Sequence, residues 1–373
     1  MKLSPLDVQE LVDLCISFLS DTPEDLTTCS MVARSWMDAA QAKLFFAPHL
    51  TNVRVITTVD RVALKFYDIL VTSPHLLRYV RAICLIQATL SSSTDAKLSC
   101  LEFPRLETLS LDTVYLAHWM PHLGSLPKSP SLRRLHLFLP GAFTHSAHLL
   151  EDFSPTVQHL ELLCTHWDPT ELTPGPGSVP SIYLTSLYLR VLDDPYETPQ
   201  CLSSTATYPF NLEQLKYLAI WDARCIAWDS IAKETKRSIE VLQLGIKGSE
   251  RVDLAPFSNL HDICLVLLHS KPVPRGCRDT LSTITSSHHI RSIRIWVGDS
   301  EIGEDEEYGK LDLVLSTLPL HPLPIVKFES SIEPEAREES MRKLFPKVVA
   351  QNRFKFTYYP CKIEDVGRQL LSR

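Results

Sequence analysis

A six-residue pattern with apolar side chains at its first, fourth and sixth positions reads LETLSL at residues 106–111 and IRSIRI at residues 290–295. The alternation of apolar and polar residues in its second half is typical of a short β-strand that buries one of its faces. One such strand cannot cover its own apolar face. Several of them must therefore stack side by side to make a hydrophobic core.

The same pattern returns along most of the chain at spacings of 21 to 33 residues, with a mean of about 27. Leucine-rich repeats have a period of about 20–29 residues. We therefore expect an α/β fold in which short parallel strands lie side by side and the return segments form the outer wall of a curved solenoid. The copies begin at Leu50, Val80, Leu106, Leu132, Val157, Leu184, Leu215, Ile239, Leu260, Ile290 and Leu323.

The repeats depart from the regular leucine-rich pattern in two ways. Their intervals are uneven, and the Asn or Cys that regular repeats place after the strand is largely absent, with Val114 and Pro140 near that position. We therefore expect an irregular leucine-rich-repeat-like fold with uneven curvature. An open α/β sheet of another kind is the alternative.

Several return segments carry helix signals. Residues 60–73 and 308–318 show apolar residues at helical spacing, and residues 335–351 predict a helix that breaks around Pro346. Residues 353–359 alternate aromatic and polar side chains, which predicts a final strand.

The first 46 residues are organised differently from the repeats. Ser4, Pro5 and Asp7 form a helix start signal, because Ser and Asp can cap the first backbone amides and Pro has no amide hydrogen to leave unpaired. The same combination of a hydroxyl residue, Pro and Asp recurs at residues 22–25. We expect three short helices, which together make a poor core. Part of their apolar surface must then pack on the rest of the chain or on a partner protein.

A set of residues in this stretch has a recognisable order and spacing. It comprises Leu6, Glu10, Leu11, Val12, Ile16, Leu26, Cys29, Ser30, Val32, Arg34 and Trp36. This order resembles an F-box. With the repeats, the chain is similar to F-box proteins with irregular leucine-rich repeats, a group abundant in mushroom-forming basidiomycete fungi. It departs from the family at Val8-Gln9, where Leu-Pro is usual before the Glu, and at Ala33, where Cys is usual.

The resemblance implies a division of roles along the chain. A three-helix head over residues 1–46 would bind a Skp-type adaptor and through it a cullin. An irregular leucine-rich-repeat-like solenoid over residues 47–360 would bind a target protein, and a tail at residues 361–373, with a capping helix as one form, would cover the last repeat. The family's role is that of a non-catalytic substrate-recognition subunit of a ubiquitin ligase. The expected adaptor-binding residues are Leu11, Leu14, Val32 and Trp36.

A second hypothesis is a leucine-rich-repeat interaction scaffold with no link to ubiquitination. In that case the head covers the apolar edge of the first repeat and binds no adaptor, since a repeat protein needs its terminal edges covered.

The side chain between the last two apolar positions of each repeat should point towards the concave face of the solenoid. Aromatic residues and Arg dominate protein interfaces, which makes those on this face candidates for target binding. The alternative is that the rings pack against neighbouring strands or loops. Three aromatic residues directly follow the last apolar position and should also face outward: Phe138, Trp221 and Trp296. The expected target-binding residues are these three with Arg54, His136, Glu161, Tyr188 and Arg294 of the ladder, whose other members are Cys84, Ser110, Ala219, Gln243, Cys264 and Lys327.

The charge, the length of the apolar runs and the spacing of the cysteines indicate which classes of partner to expect. The net charge of −7 argues against binding that is driven by nucleic-acid phosphates. Apolar runs such as residues 263–268 are far shorter than the roughly 20 residues that cross a bilayer, so no membrane partner is expected. The ten cysteines include no C-x-x-C pair, which is typical of reduced thiols in a cytoplasmic or nuclear protein.

Motifs for catalysis and metal binding are missing from the sequence. It contains no P-loop, no G-x-G-x-x-G, no G-x-S-x-G and no H-E-x-x-H. Histidine pairs such as His118 and His122 have no third ligand at a suitable spacing. We therefore expect neither an enzyme nor a protein that holds a metal or another cofactor.

Overall fold

The computed structural model describes most of the chain in separate ranges. These are residues 9–19, 23–32, 34–45, 49–50, 59–86, 100–112, 124–142, 153–166, 182–191, 210–221, 228–246, 251–267, 274–297, 306–330 and 334–358. Ser4 to Asp7 of the expected helix start, Arg54 of the expected target-binding set and the tail at residues 361–373 lie outside them.

The chain divides into two compact units, residues 1–141 with 145–161 and residues 142–144 with 162–373. The described strands are short, and we number them in chain order. They are β1 (His49–Leu50), β2 (Ala82–Ile86), β3 (Thr108–Asp112), β4 (Arg134–Ala142), β5 (His159–His166), β6 (Ser186–Val191), β7 (Tyr217–Ile220), β8 (Val241–Ile246), β9 (Asp262–Leu267), β10 (Ser292–Val297), β11 (Ile325–Ser330) and β12 (Phe354–Tyr358).

Strand pairing is parallel and follows chain order in each unit. In the first unit β1 pairs with β2, β2 with β3 and β3 with β4. In the second unit the order runs from β6 to β12 without a crossover. The predicted α/β class and parallel strands are confirmed. The curvature of a solenoid and the domain boundaries at residues 46 and 360 stay predictions.

The register of the strands reproduces the uneven spacing of the sequence pattern. Ala82 lies beside Thr108, 26 residues further on, whereas Ser292 lies beside Ile325, 33 residues further on. The apolar positions of the pattern are buried, and their alternation along each strand places them on one face of the sheet. They include Leu109, Leu135, Leu218, Leu242, Ile263, Ile293 and Val326.

The return segments contain the predicted helices. The helix expected at residues 60–73 is observed as α4 (Val59–Thr72), and the one at 308–318 as α7 (Glu306–Ser316). The predicted break near Pro346 is also observed, between α8 (Pro334–Leu344) and α9 (Pro346–Ala350). Two further helices are α5 (Trp228–Thr235) and α6 (Pro274–Leu281).

A buried carboxylate holds α9 in place. The two carboxylate oxygens of Asp312 on α7 accept hydrogen bonds from the backbone amides of Lys347 (3.0 Å) and Val348 (3.1 Å). These amides lie in the first turn of α9 and have no partner within the helix, so the carboxylate satisfies them as a cap would.

The N-terminal stretch forms α1 (Gln9–Ser17), α2 (Pro23–Val32) and α3 (Arg34–Leu44). Their shared core consists of Val12, Ile16, Leu26 and Ala40, all buried. None of the described helices is both long enough and apolar enough to cross a membrane.

Candidate protein-binding surfaces

Helix α1 has two apolar faces, and only one of them is buried. Val12 and Ile16, four residues apart, belong to the core of the head. Leu11, Leu14 and Phe18 recur at helical spacing on another side, where they are 46%, 54% and 80% exposed.

Helix α2 adds two more exposed apolar side chains at its C-terminal end. Met31 is 76% exposed and Val32 is 65% exposed. We call the exposed set Leu11, Leu14, Phe18, Met31 and Val32 the head patch. Sequence reasoning did not single out Met31 for adaptor binding, although it directly precedes Val32.

Trp36 differs from the other three expected adaptor-binding residues. It is partly buried and packs against the core cluster that contains Val12 and Leu26. Its ring therefore supports the packing of α3 on α1 and α2, whereas Leu11, Leu14 and Val32 are exposed.

Helix α3 connects the head to the next part of the first unit. The Tyr79 hydroxyl donates a hydrogen bond to Asp38 Oδ1 at 2.8 Å, and Arg78 Nη2 lies 3.4 Å from the same oxygen. The rings of Phe45 and Phe66 stack with their centroids 6.4 Å apart. The head is thus held to the 3₁₀ turn at Pro74–Tyr79 and to α4.

In the first unit, the predicted ladder of side chains lies in one row. Parallel pairing places Cys84 beside Ser110, and Ser110 beside His136. All three side chains are partly buried, as is Phe138 two residues further along β4. This part of the face therefore presents mainly small and polar groups.

The start of β5 adds a histidine–carboxylate pair to this part of the face. His136 Nδ1 contacts Glu161 Oε2, and the Glu161 side chain is buried. The structure thus brings these two expected target-binding residues together. On the same strand, burial lowers the pKa of His159, and the charges of Arg134 and His136 lower it further.

In the second unit, the predicted ladder again lies in register and extends one strand further than expected. The residues paired across successive strands are Tyr188, Ala219, Gln243, Cys264, Arg294, Lys327 and Lys355. Lys355 was missed by sequence reasoning, although the alternation at residues 353–359 places it between two aromatic residues.

The large rings of this second part of the face are buried. Tyr188, Trp221 and Trp296 form one cluster with Ala219, Cys264 and Val266, and each is at most 5% exposed. The Arg190 guanidinium lies over the Trp221 ring, 5.0 Å from its centroid, where the charge meets the negative face of the ring. Of the two expectations for these rings, the packed arrangement is the one observed.

The described site residues form no metal centre. Among the ranges that the structure describes, no group of three or more His, Cys, Asp or Glu side chains is arranged to hold a metal ion. A scan of the sequence against models of known protein families finds no match, and a search of curated protein sequences finds none either.

Proposed function

We propose that the protein is a non-catalytic substrate-recognition subunit of a Skp-cullin-F-box type ubiquitin ligase. The head binds a Skp-type adaptor, and the face of the parallel sheet binds a target protein. The single observation that carries this proposal is the head patch, which exposes five large apolar side chains on α1, on the residue after it and on α2.

The head patch leaves apolar side chains in water, where they contribute nothing to the stability of the isolated protein. Each apolar side chain that passes from water into an interface contributes on the order of 1.5–3 kcal/mol if burial is complete. The patch does not serve the core of the head, because Val12, Ile16, Leu26 and Ala40 fill that role. Large exposed apolar side chains are typical of interaction sites, so a partner that covers α1 and α2 would explain why these side chains are apolar.

The catalytic contribution of such a subunit is proximity. Holding a target lysine near a ubiquitin-charged enzyme raises its effective concentration, and this requires no reacting group on the subunit itself.

The test of adaptor binding is a pull-down with a purified Skp-type adaptor. We expect Leu11→Asp with Leu14→Asp to weaken binding by at least about tenfold, because two charges would have to be buried in an apolar interface. The matched control is Ile69→Asp with Val71→Asp on α4, where the side chains are 43% and 46% exposed and lie outside the head. If L11D/L14D binds like the control while both keep the wild-type circular dichroism spectrum, the adaptor proposal is wrong.

A repeat scaffold without a link to ubiquitin is the second candidate, and one observation favours it. Helix α3 contacts the turn at Pro74–Tyr79, which directly precedes β2, and a cap on the first strands would make contacts of this kind. Deleting residues 1–46 separates the two candidates. Loss of a cap should unfold or aggregate the remaining chain, whereas loss of a docking head should leave it soluble and monomeric.

A further inference from the structure

Three basic side chains lie side by side on the last strands of the sheet. Parallel pairing places Arg294 of β10 beside Lys327 of β11, and Lys327 beside Lys355 of β12. Residues paired in this way point to the same face of a sheet, and neighbouring strands lie about 4.8 Å apart. We call Arg294, Lys327 and Lys355 the basic row.

The basic row is accessible and firmly positioned. Arg294 and Lys327 are partly exposed, and Lys355 is exposed. The last strand is held by the buried Arg353, whose Nε donates a hydrogen bond to the Pro324 carbonyl oxygen at 2.7 Å and whose Nη1 donates to the Leu315 carbonyl oxygen at 2.9 Å. The geometry of the row is therefore set by the backbone of the sheet.

None of the described residues forms an ion pair with the basic row. Some other cations of the second unit are paired: Arg278 contacts Glu307 at 2.5 Å, and Lys310 contacts the same carboxylate at 2.9 Å. On the helix α8, Arg342 likewise pairs with a glutamate at 2.8 Å. Within the described ranges, the three cations of the row thus lack the carboxylate contact that Arg278, Lys310 and Arg342 make.

Like charges directly opposite each other on neighbouring strands destabilise a sheet. Among the described residues of β10 to β12, the one carboxylate on the same face is Glu329, which is buried beside the aromatic cluster and in register with Trp296. One carboxylate against three cations leaves an excess of positive charge on a protein whose net charge is −7. Such an excess becomes favourable when an anionic partner binds.

We propose that the basic row binds an acidic, extended segment of the target protein, with Asp or Glu side chains facing Arg294, Lys327 and Lys355. This inference rests on the proposed function, because it names the chemistry of the target that the sheet would hold. A short peptide fits better than a nucleic acid or a lipid surface, since the row spans three strands and the rest of the chain is acidic.

The test is fluorescence anisotropy with the full-length protein and a labelled peptide of about fifteen residues in which Asp and Glu alternate with Gly and Ser. We expect saturable binding that weakens as salt rises, because partly exposed charges are screened. A peptide with Asn and Gln in place of the acids should bind at least about tenfold more weakly.

The informative variant is Arg294→Gln with Lys327→Gln, which we expect to bind the acidic peptide about tenfold more weakly than wild type. The matched control is Lys236→Gln with Arg237→Gln, which removes the same charge from exposed positions just after α5. A thermal melt gives the second readout: R294Q/K327Q should melt at the same or a higher temperature than wild type because repulsion is relieved, whereas loss of a structural contact would lower the melting temperature.

Any one of three results would overturn the inference. It fails if wild type does not bind the acidic peptide, if R294Q/K327Q binds like the control, or if phosphatidylserine vesicles or single-stranded DNA of equal charge bind more tightly than the peptide. R294Q/K327Q should still bind the Skp-type adaptor, and L11D/L14D should still bind the peptide. The two proposals can therefore fail separately.

Discussion

The face of the parallel sheet differs between the two units although the strands share one pattern. In the first unit, Cys84, Ser110 and His136 stand in register and are partly exposed. In the second unit, the equivalent positions Tyr188 and Cys264 are buried together with Trp221 and Trp296. The strands pair in parallel in both units, so the difference comes from the neighbouring side chains: large rings cover the small residues of the second unit.

The comparison shows what a large ring does on a face that was expected to be open. Phe, Tyr and Trp each carry about 150–250 Å² of surface, so neighbouring rings bury more by packing together than by facing water. Ala219 and Gly245 are small residues on the same face and leave room for the rings. A partner on this face would meet the partly exposed Cys84, Ser110 and His136 in the first unit and the basic row in the second.

The largest effect that would sharpen this comparison comes from truncating a ring in each unit. Trp296→Ala should cost about 3–5 kcal/mol of unfolding free energy, because the ring is fully buried and a cavity would remain. Phe138→Ala, at the matching position of a strand in the first unit, should cost less than about 2 kcal/mol because that ring is partly exposed. Urea titration of both variants measures the difference, and equal costs would remove the contrast between the units.

The second test compares two thiols that occupy equivalent positions. Burial raises the pKa of Cys264 to about 12, whereas Cys84 is partly exposed. An ordinary thiol has a pKa of about 8.5. We therefore expect Cys264 to react with iodoacetamide at pH 8 about a thousandfold more slowly than an ordinary thiol does. Peptide mapping by mass spectrometry after timed labelling gives both rates. Labelling of Cys264 at the rate of Cys84 would show that the second part of the face opens readily.

The smallest expected effect is the pH dependence of the first unit. The pKa of His159 is lowered in the folded protein, first by burial and then by Arg134 and His136. The unfolded chain therefore binds a proton at His159 more tightly than the folded protein does. The contribution of the neutral His159 side chain to the free energy of unfolding is present above about pH 6.5 and is lost as the pH falls through the folded pKa.

Replacing His159 with Gln should reduce the loss of unfolding free energy at low pH, by at most about 1 kcal/mol. The matched control is His289→Gln, because His289 is exposed in the second unit. Melting temperatures between about pH 5 and pH 8 provide the measurement. If H159Q and H289Q have the same pH profile, His159 is not the group that titrates.

The strands and their register could be predicted from the sequence because one local pattern specifies both. The spacing between LETLSL and the next copy fixes which residues pair, and the observed partners Ser110 and His136 are 26 residues apart, as the pattern is. The helix break before Pro346 follows equally from local chemistry, since Pro lacks the amide hydrogen that a continuing helix needs.

The state of the face could not be predicted in the same way. Whether Trp221 and Trp296 face water depends on contacts between side chains that lie three strands apart in the sheet. Such contacts are a property of packing and not of the local sequence pattern. The head shows the same limit. Sequence periodicity marks Leu11, Val12 and Leu14 all as apolar helix residues, but the contacts of the three helices decide that Val12 is buried while its neighbours are exposed.

The pairing of each strand with its neighbours in chain order has a mechanical consequence. If the second unit is pulled from its C-terminal end, β12 separates first, then β11, and so on, because no strand is threaded between earlier ones. Partners in register lie 21 residues apart between β8 and β9 and 33 apart between β10 and β11. Each release would lengthen the chain by about 70–110 Å. In a single-molecule force experiment, the series of step lengths would reproduce the uneven spacing of the repeats in reverse order.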